Sequence, residues 1–163
     1  MTLERLNTQT SCAGFIQRIV WCSPIQWLVD KGTLLLCAGG GGIAVVFRED
    51  AQTFVGVEAA VDKDLVSGLL AQELAADVFV IATDVEGVYL NHGTGTERVI
   101  RRTTPQQLEQ YEFSPGSIAP KVGAACRFVR ETGDEAITGS LDNLQKIVDG
   151  KSGTIIEPDG IPT

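Results

Sequence analysis

Short, continuous apolar runs alternate with amphipathic helical segments along this chain, and this alternation limits the folds that it can adopt. Two of the runs, Thr33–Cys37 and Val78–Ala82, lack the polar residues that a half-exposed strand carries. Such runs are typical of parallel strands that are buried on both faces. Strands that alternate with helices predict an α/β sandwich with a mainly parallel sheet.

Capping residues, turns and glycines predict where the elements lie. Ser23–Gln26 and Thr104–Gln107 both have the capping-box pattern with proline at the first helical position. A polar hairpin turn is expected at 48–52, and Gly32 and Gly133 are expected to end helices. In chain order, strands are predicted at 19–21, 33–37, 43–47, 56–61, 78–82, 87–90, 135–138 and 153–157, and helices are predicted to begin at Ser23, at 62–64, at Thr104 (running through Tyr111), at Pro120 and at Ser140.

The segment Gly56–Asp64 joins an apolar strand to a charged turn that opens a helix. Asp62 or Asp64 can cap the first free amides of that helix. Lys63 then lies at a helix N-terminus, where the dipole and the free amides favour an anion. These groups can together hold a phosphate, and the alternative interpretation is an ordinary capped helix with a solvated lysine.

Four consecutive glycines, Gly39, Gly40, Gly41 and Gly42, follow the first apolar run almost directly. Bare backbone amides at the carboxyl end of a buried strand let a ligand approach closely. Ordering four glycines is costly in conformational entropy, so we interpret the run as a ligand-binding loop, with a flexible turn as the alternative. Neither a Walker A loop nor the dinucleotide-binding G-x-G-x-x-G fingerprint is present here.

A second lysine, Lys121, lies in the first turn of the helix that is predicted to begin at Pro120. A cation there opposes the helix dipole, so a bound anion explains its position better than helix stability does. In doubly wound α/β folds, ligands bind beyond the carboxyl ends of the strands. We therefore expect the glycine run, Thr83-Asp84 and the 62–64 turn to gather at that edge of the sheet.

Charge and composition exclude some classes of partner. The net charge of -8 argues against nucleic acid, which needs a basic face, but not against a nucleotide. The four cysteines show no C-x-x-C spacing and His92 is the single histidine, so we expect no metal site and place His92 on the surface. The sequence shows neither a signal peptide nor a membrane-spanning stretch, which predicts a cytoplasmic protein with no membrane partner.

Five groups of short motifs occur in order along residues 17–157, and together they resemble those of carbamate kinase, a member of the amino-acid kinase family. Acetylglutamate, aspartate and uridylate kinases share the fold of that family but not this combination of motifs. The motifs are Gly39–Ile43, Gly56–Ala59 with Asp62–Leu65, Thr83–Val85 with Val88–Asn91, Pro115–Ser117 with Pro120–Val122, and Gly153-Thr154.

The resemblance implies a three-layer α/β/α fold and reversible phosphoryl transfer between ATP and carbamate. In the catabolic direction, associated with arginine catabolism, ATP forms from ADP and carbamoyl phosphate. Magnesium accompanies the nucleotide and is held largely by phosphate oxygens and water. By the same resemblance, Lys63 contacts the transferring phosphoryl group or carbamate, Asp64 orients the lysines, and Lys121 neutralises the phosphates.

The resemblance also assigns the other candidate residues and the extent of the domain. The glycine run at 39–42 would approach the phosphoryl or acceptor end, and Thr83, Asp84, Val88 and Tyr89 would lie near the ribose and base. Family chains are much longer, and their N-terminal half carries parts of the carbamate site that this sequence lacks. Residues 1–16 are therefore expected to be a poorly ordered lead-in, 17–157 the nucleotide-binding domain and 158–163 a tail.

Three hypotheses remain open at this point. The chain is a carbamate kinase that works as a homodimer or with a missing N-terminal half. Alternatively it is a truncated, catalytically incompetent nucleotide-binding module without a carbamate site. The third hypothesis is a decaying fragment, whose incomplete sheet leaves an unpaired edge and exposed apolar surface.

Overall fold

The computed structural model describes residues 17–91, 93–111, 113 and 118–160. His92, the Pro115–Ser117 motif and the expected lead-in lie outside the described residues. The strands are β1 (Val45–Arg48), β2 (Thr53–Gly56), β3 (Val78–Thr83), β4 (Tyr89–Leu90), β5 (Arg98–Val99), β6 (Arg102–Thr103), β7 (Glu135–Ser140) and β8 (Thr154–Ile156). The α-helices are α1 (Cys22–Val29), α2 (Lys63–Glu73), α3 (Pro105–Leu108), α4 (Ala119–Thr132) and α5 (Leu144–Val148).

The central sheet has four strands in the order β3-β7-β8-β6. Strand β3 runs parallel to β7, with Val78 opposite Glu135 and Thr83 opposite Ser140. Strands β6 and β8 are also parallel, whereas β7 and β8 are antiparallel. Two of the three pairings are therefore parallel, which confirms the predicted mainly parallel sheet.

Helices cover both faces of this sheet. On one face α2 and α4 pack side by side, and the rings of Phe79 in β3 and Phe128 in α4 lie 5.5 Å apart between centroids. On the other face Ile147 of α5 packs against Ile137 and Ile155 of the sheet. Apolar burial on both faces provides the main stabilisation of such a sheet. The fold therefore has the three α/β/α layers that the resemblance implied.

Local signals placed several helix ends correctly. Thr104 and Gln107 form the predicted capping box, although the helix ends at Leu108 rather than Tyr111. Gly133 has φ 79°, a left-handed conformation that favours glycine, and its N–H donates to the Val129 carbonyl at the end of α4. Ser140 caps a short 3₁₀ turn at Leu141–Asn143, which precedes α5.

The N-terminal elements differ from the prediction. The chain turns at Val20 and Trp21, so the strand predicted at 19–21 is wrong. Helix α1 begins at Cys22, which places Ser23 inside the first turn instead of at the cap position. The predicted capping box at Ser23 is therefore wrong. A capping side chain comes from the residue directly before the first turn, whereas Ser23 lies within that turn.

Residues Thr33–Cys37 do not form the buried parallel strand that their composition predicted. Leu34 is 92% exposed and Leu36 is 99% exposed, and no strand is found between α1 and β1. A strand is defined by its hydrogen-bonded neighbour, and within the described ranges this run has no partner strand. The predicted strand at 56–61 is also wrong, because β2 ends at Gly56 and an irregular segment follows.

The predicted hairpin turn at 48–52 is confirmed, although its second strand is β2 rather than 56–61, and the hairpin stands apart from the central sheet. Strands β1 and β2 pair antiparallel, and all eight of their residues are exposed. The rings of Phe47 and Phe54 meet edge to face across the pair, 5.2 Å apart between centroids. A two-stranded hairpin has little stability of its own in water, so this contact is one of the few interactions that hold it.

Strand β3 is the edge of the central sheet as far as the structure describes it. Phe79 and Ile81 are buried, whereas Val78 is 41% exposed, so β3 is less buried than predicted. The two-residue strands β5 and β6 were not predicted, because they carry no apolar pattern. Over the described residues, every helix is too short or too polar to cross a lipid bilayer.

Candidate functional site

The two helices on one face of the sheet bring two predicted site residues together. The Lys121 ammonium at the start of α4 donates to Asp64 Oδ2 at the start of α2, at 2.8 Å. The side chains are 17% and 16% exposed, so water screens their attraction less than it would screen a surface pair. The ion pair therefore ties the N-termini of α2 and α4 together.

Asp62 and Asp64 have different partners. Asp62 is the N-cap of α2, and its Oδ1 accepts from the backbone N–H groups of Asp64 at 2.8 Å and Leu65 at 3.1 Å. This settles the choice between the two possible caps. Because Asp62 serves the backbone, the Asp64 carboxylate is available for Lys121. Lys63 is the first residue of α2 and its side chain is exposed.

The glycine run lies against the residue that precedes this turn. Gly41 is buried, has φ +92°, and donates its N–H to the Ala38 carbonyl at 2.9 Å. A β-carbon built on Gly41 would overlap the carbonyl oxygen of Val61. Only glycine fits both the backbone angle and this close approach. The structure therefore brings the glycine run to the segment that contains Lys63 and Asp64.

Topology places the helix N-termini near the carboxyl end of the sheet. Helix α2 ends five residues before β3 begins, and α4 ends three residues before β7 begins. A short helix-to-strand connection puts the far end of the helix near the far end of the strand. Asp64 and Thr83 therefore lie toward the same edge, where the parallel topology was expected to bring the 62–64 turn and Thr83-Asp84, and Lys121 lies there with them.

The four residues predicted to lie near the ribose and base are Thr83, which ends β3, and Asp84, Val88 and Tyr89, which follow it. Thr83 Oγ1 donates to Asp84 Oδ1 at 2.9 Å, and Asp84 is exposed. Tyr89 is partly buried at the start of β4. Val88 is fully buried, with its N–H bonded to Thr154 Oγ1 and its carbonyl to the Ile100 N–H. Val88 therefore supports its neighbours, while Thr83, Asp84 and Tyr89 have surface that a ligand can reach.

Three glycines that the sequence analysis did not single out for this role allow close approaches around the sheet, at the loop after β3 for Gly87 and Gly139 and between β7 and β8 for Gly153. A β-carbon on Gly87 would lie 2.6 Å from Thr154 Oγ1, and one on Gly153 would lie 2.7 Å from the Thr138 carbonyl oxygen. A β-carbon on Gly139 would lie 3.1 Å from the Glu86 carbonyl oxygen. The paired motif Gly153-Thr154 was a sequence signal for this region, but it did not indicate these contacts.

A separate groove lies between α3 and the outer side of α4. It encloses about 600 Å³ and is lined by residues that include Leu108, Tyr111, Cys126 and Arg130. Burial raises the pKa of the Cys126 thiol to about 11, so this thiol stays protonated and unreactive at neutral pH. Among the described side chains, no group of three or more His, Cys, Asp or Glu residues could hold a metal ion.

Comparison with known proteins shows the family. The sequence model of the amino acid kinase family matches residues 19–138. Carbamate kinase from Rhizobium meliloti (strain 1021) is 46% identical over 141 residues, which are 86% of this chain and 44% of that protein. Carbamate kinase from Haemophilus influenzae is 44% identical over 140 residues, 86% of this chain and 45% of that protein. The chain thus spans just under half the length of these curated relatives.

A solved structure gives the same result for the fold. Carbamate kinase from Giardia lamblia bound to AMP-PNP is similar with a TM-score of 0.82 and 34% sequence identity. The similarity covers 88% of this chain and 51% of that chain. The arrangement of helices and sheet described above is therefore that of about half of such a structure.

Proposed function

The chain belongs to the amino acid kinase family, and from this membership we propose that it takes part in reversible phosphoryl transfer between ATP and carbamate. The observation that carries the proposal is the Lys121–Asp64 ion pair at the N-termini of α4 and α2. Gly41 of the glycine run packs against the Val61 carbonyl, directly before the 62–64 turn. The similar proteins named above are carbamate kinases, which supports this choice of substrate.

The proposed mechanism depends on positioning and charge rather than on a general base. Phosphoryl transfer spreads negative charge over the oxygens of the moving group, and fixed cations stabilise it. The Lys121 ammonium, aimed by Asp64, would follow this charge from the γ-phosphate to the acceptor. Lys63 would add a second cation from the first turn of α2, where free amides already favour an anion.

The nucleotide would lie across the edge that carries Thr83, Asp84 and Tyr89. The Giardia lamblia relative binds AMP-PNP, which supports nucleotide binding by a fold of this kind. Asp84 is the exposed carboxylate of the group and can accept hydrogen bonds from a ribose. Magnesium would be bound with the phosphates, since hard cations prefer phosphate and water oxygens. We expect this chemistry in the cytoplasm, where the ATP-forming direction would be the one associated with arginine catabolism.

The acceptor side of the site would come from the remainder of a family-length fold. Apolar side chains are exposed throughout residues 34–57, which we call the exposed segment. Large exposed apolar surface marks an interface, and these relatives contain at least as many residues again. We expect the remainder, in the same polypeptide or another, to cover the segment, and a homodimer is the competing occupant. The exposed side chains are Leu34, Leu36, Ile43, Val45, Val46, Phe47, Phe54, Val55 and Val57.

ATP formation from ADP, carbamoyl phosphate and magnesium tests the proposal. The purified chain would be assayed alone and with a polypeptide that contains the unmatched residues of the Rhizobium meliloti enzyme. We expect turnover in the mixture, loss of turnover in Lys121→Ala, and retained turnover in Lys146→Ala, whose lysine lies in α5 on the other face of the sheet. Because Lys121 would serve mainly the transferring group, ADP affinity should change little in Lys121→Ala.

Two outcomes would contradict the proposal. Wild-type turnover in Lys121→Ala would contradict the assigned role of the ion pair. ADP binding without turnover, even in the mixture, would favour the second candidate function, a nucleotide-binding module without an acceptor site. This second candidate is supported by the length of the chain, which spans just under half of the Rhizobium meliloti relative.

A further inference from the structure

Thr154 lies at the junction of three segments that are distant in sequence. It is the first residue of β8, and its side chain is fully buried. Its hydroxyl donates to the Ile100 carbonyl oxygen at 2.6 Å and accepts from the Val88 N–H at 2.8 Å. One hydroxyl therefore satisfies two backbone groups on opposite sides of the same hairpin.

The hydroxyl replaces a missing bond in the ladder between β4 and β5. These strands place Tyr89 opposite Val99, and continuing this register places Val88 opposite Ile100. The Ile100 N–H donates directly to the Val88 carbonyl at 2.8 Å. The return bond, from the Val88 N–H to the Ile100 carbonyl, runs through Thr154 Oγ1 instead. Without the hydroxyl, two buried backbone groups would lose their partner, which is costly.

Close backbone approaches bring the hydroxyl into this position. Gly87 leaves room for Thr154 Oγ1, because a β-carbon there would lie 2.6 Å from it. Gly153, directly before Thr154, has φ +85° and lies against the Thr138 carbonyl. Both glycines thus permit the close backbone approach that places the hydroxyl between Val88 and Ile100.

We propose that Thr154 is a positioning residue for nucleotide binding, which acts by holding Val88 and thereby the adjacent Tyr89 and the loop back to Thr83 and Asp84. The inference rests on the proposed function, because it assumes that this hairpin contacts the nucleotide. The hydroxyl is the important group, since the methyl of a threonine cannot bridge an N–H and a carbonyl. Neither the fold nor the similarity to other proteins assigns this role.

The test compares ADP affinity, measured by calorimetry, in the wild-type chain and in four variants. Thr154→Val keeps the shape and removes the hydroxyl, and we expect affinity to fall by about tenfold. Thr154→Ser keeps the hydroxyl and should stay within about twofold of wild type. Thr154→Ala leaves space in which a water can bridge the two groups, so an intermediate loss is expected, and this variant replaces Thr154→Val if the latter does not fold.

Thr138→Val is the matched control. Thr138 is also fully buried, pairs with Thr154 in the β7–β8 register, and has a hydroxyl that lacks a hydrogen-bond partner within the part of the chain that the structure describes. Removing that hydroxyl should leave ADP affinity unchanged. Amide hydrogen exchange at Val88 gives a second readout, and we expect protection to be lost in Thr154→Val but not in Thr138→Val.

The outcomes separate the inference from the proposed function. If the wild-type chain binds ADP and Thr154→Val binds it equally well, the inference fails and the proposed function stands. Equal losses in Thr154→Val and Thr138→Val would also overturn it, because they would reflect general damage to the core. If the wild-type chain binds no ADP, the proposed function fails and the inference fails with it.

Discussion

At the scale of single residues, two aspartates on either side of Lys63 have separate tasks. Asp62 accepts two backbone hydrogen bonds and starts α2, whereas Asp64 pairs with Lys121 from the other helix. A single carboxylate could not have the best geometry both for capping the helix and for pairing with the lysine. Separating the tasks leaves the Lys121 ammonium held by a carboxylate that is itself on a rigid helix.

Gly41 is the residue at which the glycine run has a steric requirement. We expect Gly41→Ala to lower the free energy of unfolding by about 1–3 kcal/mol, because alanine disfavours φ +92° and its β-carbon would overlap the Val61 carbonyl oxygen. Urea unfolding measures the change. Gly40→Ala is the control, since a β-carbon there meets no other atom of the described residues within 4 Å, and equal effects in both variants would contradict the assignment.

At the scale of elements, helix α2 begins where it does because of one side chain. The Asp62 cap satisfies two of the amides that the first turn leaves without partners. Because the Asp64 N–H donates to this cap, the cap also orients the backbone from which the Asp64 side chain projects. A local interaction thus sets the geometry of an ion pair whose members are 57 residues apart in the sequence.

Replacing the cap should weaken both the helix and the site. We expect Asp62→Ala to reduce the free energy of unfolding by about 1 kcal/mol, whereas Asp62→Asn should stay close to wild type because asparagine is also a good cap. Urea unfolding, with helix content followed by circular dichroism, distinguishes the two variants. A loss in Asp62→Asn as large as that in Asp62→Ala would show that charge, not capping, is the contribution of Asp62.

At the scale of the whole molecule, apolar burial is distributed unevenly. The central sheet has an apolar cluster on each face, packed against α2 and α4 on one side and α5 on the other, while β1, β2 and most of the run at 33–37 are exposed. A surface of this kind in an isolated chain favours association. The part of the fold with a core therefore carries Asp64 and Lys121, whereas the part without one carries the glycine run and the expected interface.

Charged residues placed on the exposed segment should test whether it is an interface. We expect Leu34→Asp with Leu36→Asp to reduce both self-association and binding of a hydrophobic dye, and to weaken binding to the unmatched part of the Rhizobium meliloti enzyme. Analytical ultracentrifugation and dye fluorescence measure these effects. Leu141→Asp, at a 64% exposed leucine before α5, is the control. If Leu141→Asp lowered self-association as much as the double variant does, the exposed segment would have no specific role in association.

The sequence by itself determined the features that depend on near neighbours. The Thr104 capping box and the end of α4 at Gly133 rest on contacts within a few residues, so composition and spacing were sufficient. For the cap of α2 they narrowed the choice to Asp62 or Asp64, and the structure identifies Asp62. The candidate roles of Lys63, Asp64 and Lys121 came from helix position together with a family resemblance. The local signal failed at Ser23, where helix α1 begins one residue before its expected cap.

Only the tertiary structure decided which segments pair. Thr33–Cys37 has the composition of a buried strand, but a strand requires a neighbour to complete its hydrogen bonds, and no local pattern reports whether that neighbour is present. The contacts of Lys121 with Asp64 and of Thr154 with Val88 join residues 57 and 66 positions apart. Such contacts form only once the sheet has brought distant segments together. Their contribution to stability therefore depends on the tertiary arrangement of the chain and cannot be read from local sequence.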